Sequence, residues 1–130
     1  MVKGFSSFAS SLKNALSQCR PAFACHYTKF NSLICEYFYR CNFFSELYYL
    51  RFKSKTFIFV RIDTFENQLI LSNIKILFKP STYLFFQVSD LKRLLKKERR
   101  VLLLSTSEGV MNSVEAVHLG IGGIALLEYY

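Results

Sequence analysis

Ser105, Thr106 and Ser107 set three hydroxyls in succession, with Gly109 two residues on, in the segment VLLLSTSEGVMNSVEAVHLGIGGIALLEYY that runs over 101–130. Hydroxyls both donate and accept hydrogen bonds. A rigid Ser-Thr-Ser loop can therefore meet ribose 2′-OH groups, phosphates and the edges of unpaired bases. The same side chains can equally cap nearby backbone groups, as Ser and Thr do in turns, and the residues alone leave the two readings level. Nucleophilic catalysis fits poorly, because no Gly-x-Ser-x-Gly elbow surrounds either serine. Gly120-Ile121-Gly122-Gly123 is a poor phosphate loop, since it follows a helical pattern and leads into a strand, the reverse of the nucleotide-binding order.

The remaining reactive residues carry little chemistry. Cys19, Cys25, Cys35 and Cys41 show no C-x-x-C spacing. Cys35 and Cys41 fall on different faces of the helix expected over about 28–41, so free thiols are the reading and no metal site is expected. His26 and His118 have no carboxylate or cysteine at a spacing that would make a catalytic base, and His118 is expected on the exposed side of a short helix. No enzymatic activity, cofactor or small-molecule substrate is expected.

Several elements must hold the hydroxyl loop in place. The apolar run 101–104 reads as a buried strand, and Gly109 frees the backbone after it. Asn112 with Glu115 three residues later is a variant capping box that starts a helix over 113–119. Gly120 suits a left-handed stop, and 124–130 reads as a last strand. Upstream, spacing predicts a helix over 5–18, a strand over 22–26 and a helix over 28–41. Strands follow over 56–62 and 68–78 around a polar turn at 63–67, then a strand over 83–88 and a helix over 90–97. Lys79-Pro80-Ser81 punctuates the chain. The expected fold is α+β in two small subdomains. Residues 1–78 form helix-strand-helix-strand-strand, and 79–130 are mainly antiparallel β with short helices.

Composition bounds the partners. A net charge of +8 and a pI near 9.5 imply a polyanion, either nucleic acid or an acidic membrane surface, and charge alone does not choose. With 52% hydrophobic residues, 14 Phe and 8 Tyr, the chain is too apolar for a disordered basic tail and must fold around a core. Every apolar run is broken by charged or turn residues before the roughly 18 to 20 residues needed to span a bilayer, so no membrane insertion is expected. The excess of Phe, Tyr, Ile, Leu and Lys matches an AT-rich organellar genome. Residues 1–20 are basic, Ser-rich and free of acid, which resembles a mitochondrial transit peptide. Phe5, Phe8, Ala9, Leu12, Ala15 and Leu16 equally describe a helix packed on a core.

The segment from Ser105 through Gly109, Val110 and Met111, the Glu115-Ala116 pair and the Gly122-Gly123 pair together resemble the universal small-subunit ribosomal protein number eight, in its bacterial and organellar form. The similarity extends more weakly to about Lys3. Phe5, Phe8, Leu12, Lys13 and Asn14 match the family's first helix, Lys29 with the apolar pattern through Phe43 its second, and Lys79-Pro80 its basic-proline turn. The resemblance starts inside the N-terminal stretch and so favours the core helix there. It implies a structural constituent of the small ribosomal subunit that binds the central domain of the rRNA and aids assembly. The implied rRNA contacts are Ser105, Thr106, Ser107, Gly109, Gly122, Gly123, Lys79, Phe85, Lys13 and Lys29, and the implied neighbours include small-subunit protein number five. The composition and the resemblance together give the expectation of an organellar location, mitochondrial with a plastid origin as the nearest variant, and of an organelle-encoded protein if nothing precedes the domain. Glu108, Ile124, Tyr83 and Phe85 depart from the family's usual basic residue, acidic residue, arginine and tyrosine. The basic run Lys92, Arg93, Lys96, Lys97, Arg99, Arg100 is a further departure, expected to add phosphate contacts. The competing expectation is a basic peripheral membrane protein using the amphipathic first helix and an aromatic surface.

Overall fold

The computed structural model describes residues 4–79, 84–98 and 100–129. Two compact units divide the chain, Met1–Asn73 and Ile74–Tyr130.

The first unit opens with α1, Phe5–Ser17, whose helical spacing of apolar residues places Phe5, Phe8, Ala9, Leu12, Ala15 and Leu16 on one buried face. After β1, Ala22–His26, the Thr28 hydroxyl accepts the Asn31 N–H at 3.0 Å and starts α2, Lys29–Arg40. The buried Asn31 amide donates to the carbonyls of Gly4 at 3.1 Å and His26 at 3.3 Å, which ties the start of α1 to the end of β1. β2, Phe44–Phe52, and β3, Lys55–Ile62, make a hairpin around Lys53 and Ser54, both in the left-handed region at φ 48° and 68°. Two such residues form the tight turn whose twist matches the flanking strands. The antiparallel sheet runs β1-β3-β2. Its inner face meets the helices: Phe23 packs on Phe8 with ring centres 6.0 Å apart, Phe44 on Phe38 at 5.2 Å, and the Tyr49 hydroxyl lies 2.8 Å from that of Ser32. A small hairpin of β4, Thr64–Phe65, and β5, Gln68–Leu69, completes this unit.

The second unit is a sheet built around its last strand. In order come β6, Ile74–Ile76; β7, Phe85–Phe86; α3, Val88–Arg93, running into a π-helical turn at Leu94–Glu98; β8, Leu102–Thr106; β9, Gly109–Asn112; α4, Ser113–Leu119; and β10, Gly123–Tyr129. β10 pairs antiparallel with β6, β7 and β8, while β9 flanks β8. Leu102, Leu103 and Leu104 on β8 and Ala125, Leu126 and Leu127 on β10 are fully buried. At Leu126 the β8 register shifts, and its carbonyl accepts the N–H groups of Leu77 and Phe78, each at 3.0 Å.

The α+β class agrees with the sequence reading, and several elements do not. β2 is absent from that reading because most of it is exposed on both faces and a bulge between Phe44 and Glu46 breaks the alternation. The single strand expected over 68–78 is two: β5 folds back on β4, and β6 joins β10 in the other unit. The helix expected over 90–97 begins at Val88, where the Asp90 carboxylate accepts the Gln87 N–H at 3.2 Å, and it ends in the π-helical turn. The segment after Leu104 is no free loop, since Ser105 and Thr106 end β8 and the chain returns as β9. Readings that involve Lys3, Pro80, Ser81, Tyr83, Arg99 and Tyr130 lie outside the described residues.

Candidate nucleic-acid interface

The hydroxyl segment is the tip of the β8-β9 hairpin. Thr106 pairs with Gly109, leaving Ser107 and Glu108 as the exposed turn. The Thr106 hydroxyl donates to the Gly109 carbonyl at 2.7 Å and accepts the Glu108 N–H at 3.2 Å, so it is spent on the turn itself. Gly109 sits at φ 109°, a conformation side chains avoid. Among the described residues, no hydrogen bond engages the hydroxyl of Ser105 or Ser107. The three adjacent hydroxyls thus divide: Thr106 builds the turn, Ser107 is exposed at its tip, and Ser105 is half-buried on β8.

Cross-strand register then assembles a surface. Phe85 on β7, Ile124 on β10, Ser105 on β8 and Val110 on β9 are paired in sequence, so their side chains stand in one row on one side of the sheet. Four strands at about 4.8 Å spacing make this row about 14 Å long. Phe85 is 61% exposed at one end, with Leu84 also exposed beside it, a residue the sequence reading passed over. Next to it Phe86 pairs with Gly123 and Thr106 with Gly109, and Gly123 and Thr106 lie side by side. A Cβ on Gly123 would lie 2.8 Å from the Ser105 carbonyl oxygen and 2.8 Å from Thr106 Cγ2, and one on Gly122 only 2.3 Å from the Phe86 carbonyl oxygen. Both glycines are therefore required for β10 to pass between β7 and the hairpin; their role is close backbone approach.

Helix α4 pins the hairpin from behind. The Asn112 side chain accepts the Glu115 N–H at 2.9 Å, and Gly120 ends the helix at φ 73°. Buried Ser113 accepts the Leu102 N–H at 3.1 Å, fastening α4 to β8.

The basic run does not act as a block. Arg100 is an ion-pair residue: its Nε donates to Glu128 Oε1 at 3.1 Å and its Nη2 to Oε2 at 2.7 Å, with Glu98 a second partner at 3.2 Å. The hydrogen bond to Glu128 holds the guanidinium above its usual range, against the opposing effect of burial. Arg93 pairs with Asp90 at 3.0 Å. Lys92, Lys96 and Lys97 are exposed and in no ion pair among the described residues, so they are the cations left for a polyanion.

Of the ten residues singled out from sequence, Ser105, Thr106, Ser107, Gly109, Gly122, Gly123 and Phe85 come together in the second unit. Lys79 is exposed in that unit, and Lys13 and Lys29 are exposed on the two helices of the first. Among the described residues, no three His, Cys, Asp or Glu side chains gather as a metal-ligand set. A surface of presented hydroxyls, an exposed ring and nearby lysines suits a ribose-phosphate backbone and unpaired bases.

The family model described as Ribosomal protein S8 matches residues 5–130. No curated protein matches the chain.

Proposed function

The chain belongs to the ribosomal protein S8 family, a structural family of the small ribosomal subunit, and on that premise we propose that the row from Phe85 to Val110 with the Ser107 tip binds the central domain of small-subunit rRNA. The observation that carries this is the register that sets Phe85 and Ser105 in one row of one sheet, with the exposed Ser107 turn at the hairpin end and the Gly122-Gly123 pair permitting the close approach of the strands, inside the matched span. Ser105 and Ser107 offer donors and acceptors to 2′-OH groups and phosphates, and Phe85 offers a stacking face. Lys92, Lys96 and Lys97 add affinity through counterion release.

We place the protein in a mitochondrial small subunit, with small-subunit protein number five among its neighbours; the AT-rich residue usage supports the first, and the family the second. The first helix does not offer an apolar side to a membrane surface, because that side of α1 is buried in the first unit. No helix among the described residues is long and apolar enough to cross a membrane.

Chemical footprinting of the rRNA with and without the protein tests the assignment. Protections confined to the central domain, lost in a Ser105→Ala, Ser107→Ala, Phe85→Ala variant that still folds, are expected. Co-sedimentation with membranes and never with small subunits would overturn it.

A further inference from the structure

The solvent side of the β1-β3-β2 sheet carries rings where an antiparallel sheet with one covered face ordinarily carries polar side chains. Register sets them in rows: Ala24, Phe59 and Tyr48 in one, His26, Phe57 and Leu50 in the next. Tyr48 is 54% and Phe59 40% exposed. The row on the other side is Ala22, Arg61 and Glu46, which brings a guanidinium and a carboxylate beside the rings. Neither is in an ion pair among the described residues.

Because Ala22 and Ala24 are small, a recess of about 410 Å³ opens beside Phe59 and Tyr48, bordered by Glu46 and Arg61. Its parts complement one ligand class. Exposed rings suit the flat face of a base, a lone carboxylate suits an exocyclic amine or ring N–H, and Arg61 suits a phosphate. Lys53 and Lys55 at the hairpin end extend the positive charge, with Lys53 Nζ 5.4 Å from the centre of the Phe52 ring. Arg61 at one end of this face and Lys53 and Lys55 about 20 Å along β3 at the other spread the positive charge as a strand of RNA would meet it, which favours a polyanion over an apolar protein surface. We infer that this recess stacks an unpaired nucleotide of RNA, its base on Tyr48 and Phe59 and its phosphate toward Arg61. The site belongs to the first unit alone and stands independently of the β8-β9 hairpin.

The test uses the full chain and a fluorescein-labelled uridine decamer, followed by anisotropy across a salt series, together with ultraviolet crosslinking and peptide mapping. Tyr48→Ala and Phe59→Ala should each weaken binding about tenfold with the salt slope unchanged, because stacking releases no counterions. Arg61→Gln should lower the slope by about 0.7, and Phe59→Tyr should keep affinity. Crosslinks should map to Tyr48 or Phe59 and persist in a Ser105→Ala, Ser107→Ala variant, which separates this site from the hairpin. Tyr48, Phe59 and Arg61 are exposed, so each variant should stay folded; Phe59→Ala on the central strand should lower the melting midpoint by a few degrees, and Phe59→Tyr supplies the variant that should melt as the wild type. Wild-type decamer affinity in Tyr48→Ala, Phe59→Ala protein would overturn the inference. So would loss of a protein neighbour from small-subunit particles with decamer affinity intact, which would make the face a protein-docking surface.

Discussion

Replacing Arg100 with Met separates a structural cation from an RNA-binding one. The guanidinium makes two charge-assisted hydrogen bonds to Glu128, and the burial of the partners is unequal: the Glu128 side chain is 11% exposed and that of Arg100 35%. The carboxylate is therefore the desolvated member, and Arg100→Met strands it on the central strand β10. Breaking a buried pair in this way costs roughly 3–5 kcal/mol, and the partial exposure of Arg100 reduces this to about 2–3 kcal/mol. Glu128→Gln should cost less, about 1 kcal/mol, because the freed guanidinium still reaches water and Glu98. For a unit of this size about 1 kcal/mol shifts the melting midpoint by roughly 4–8 °C, so the asymmetry is readable in circular-dichroism melts. The double variant Arg100→Met, Glu128→Leu should recover most of the loss. Filter binding to rRNA across a salt series supplies the second axis. Arg100→Met should leave the slope unchanged, while Lys96→Gln with Lys97→Gln should lower it by up to about 0.9 for each phosphate that the two lysines neutralise. A variant that melts as the wild type yet loses about one unit of slope would refute the assignment and make Arg100 a phosphate ligand.

The hairpin hydroxyls should part in the same two assays: Thr106→Ala should lower stability by about 1 kcal/mol through its two turn hydrogen bonds. Ser105→Ala with Ser107→Ala should instead lower rRNA affinity while melting as the wild type. Glu108→Lys at the exposed tip should tighten rRNA binding and steepen the salt slope, by about 0.9 if the new lysine meets one phosphate. At the β2-β3 turn, Lys53→Asn with Ser54→Gly should raise the unfolding free energy by about 1 kcal/mol in urea titrations, because both native residues hold left-handed backbone.

Much of this was legible from local pattern. The cap at Asn112 and the apolar spacing of α1 and α2 are short-range signals, and those helices lie close to where the signals put them. What escaped depends on pairing partners, near or far. β2 borrows its definition from the adjoining β3, since its own exposure follows no simple alternation, and 68–78 divides because its start pairs with the neighbouring β4 and its end with the distant β10. The fate of Arg100 rests on Glu128, 28 residues away, which no reading of a basic cluster anticipates. The aromatic outer face of β3 was visible as Phe57 and Phe59 alternating with Ile58, Val60 and Ile62, a strand apolar on both faces. The glycine pair was visible as residues, but its reason, carbonyl oxygens within 3 Å of where a Cβ would sit, exists only in the assembled sheet.

The placement of β10 carries a consequence for biosynthesis. The last strand of the second unit is also its hub, hydrogen-bonded to β6, β7 and β8. As the chain emerges from a translating ribosome, β6 and β7 wait for a partner up to about fifty residues downstream, with their backbone edges and the leucines of β8 open to solvent. Met1–Asn73 contains all its own strand partners and can close earlier. The surface that carries the hydroxyl hairpin thus matures after the first unit. Engagement with RNA would begin only after residues 123–129 have emerged, and a chain truncated before them would present an incomplete sheet prone to aggregation.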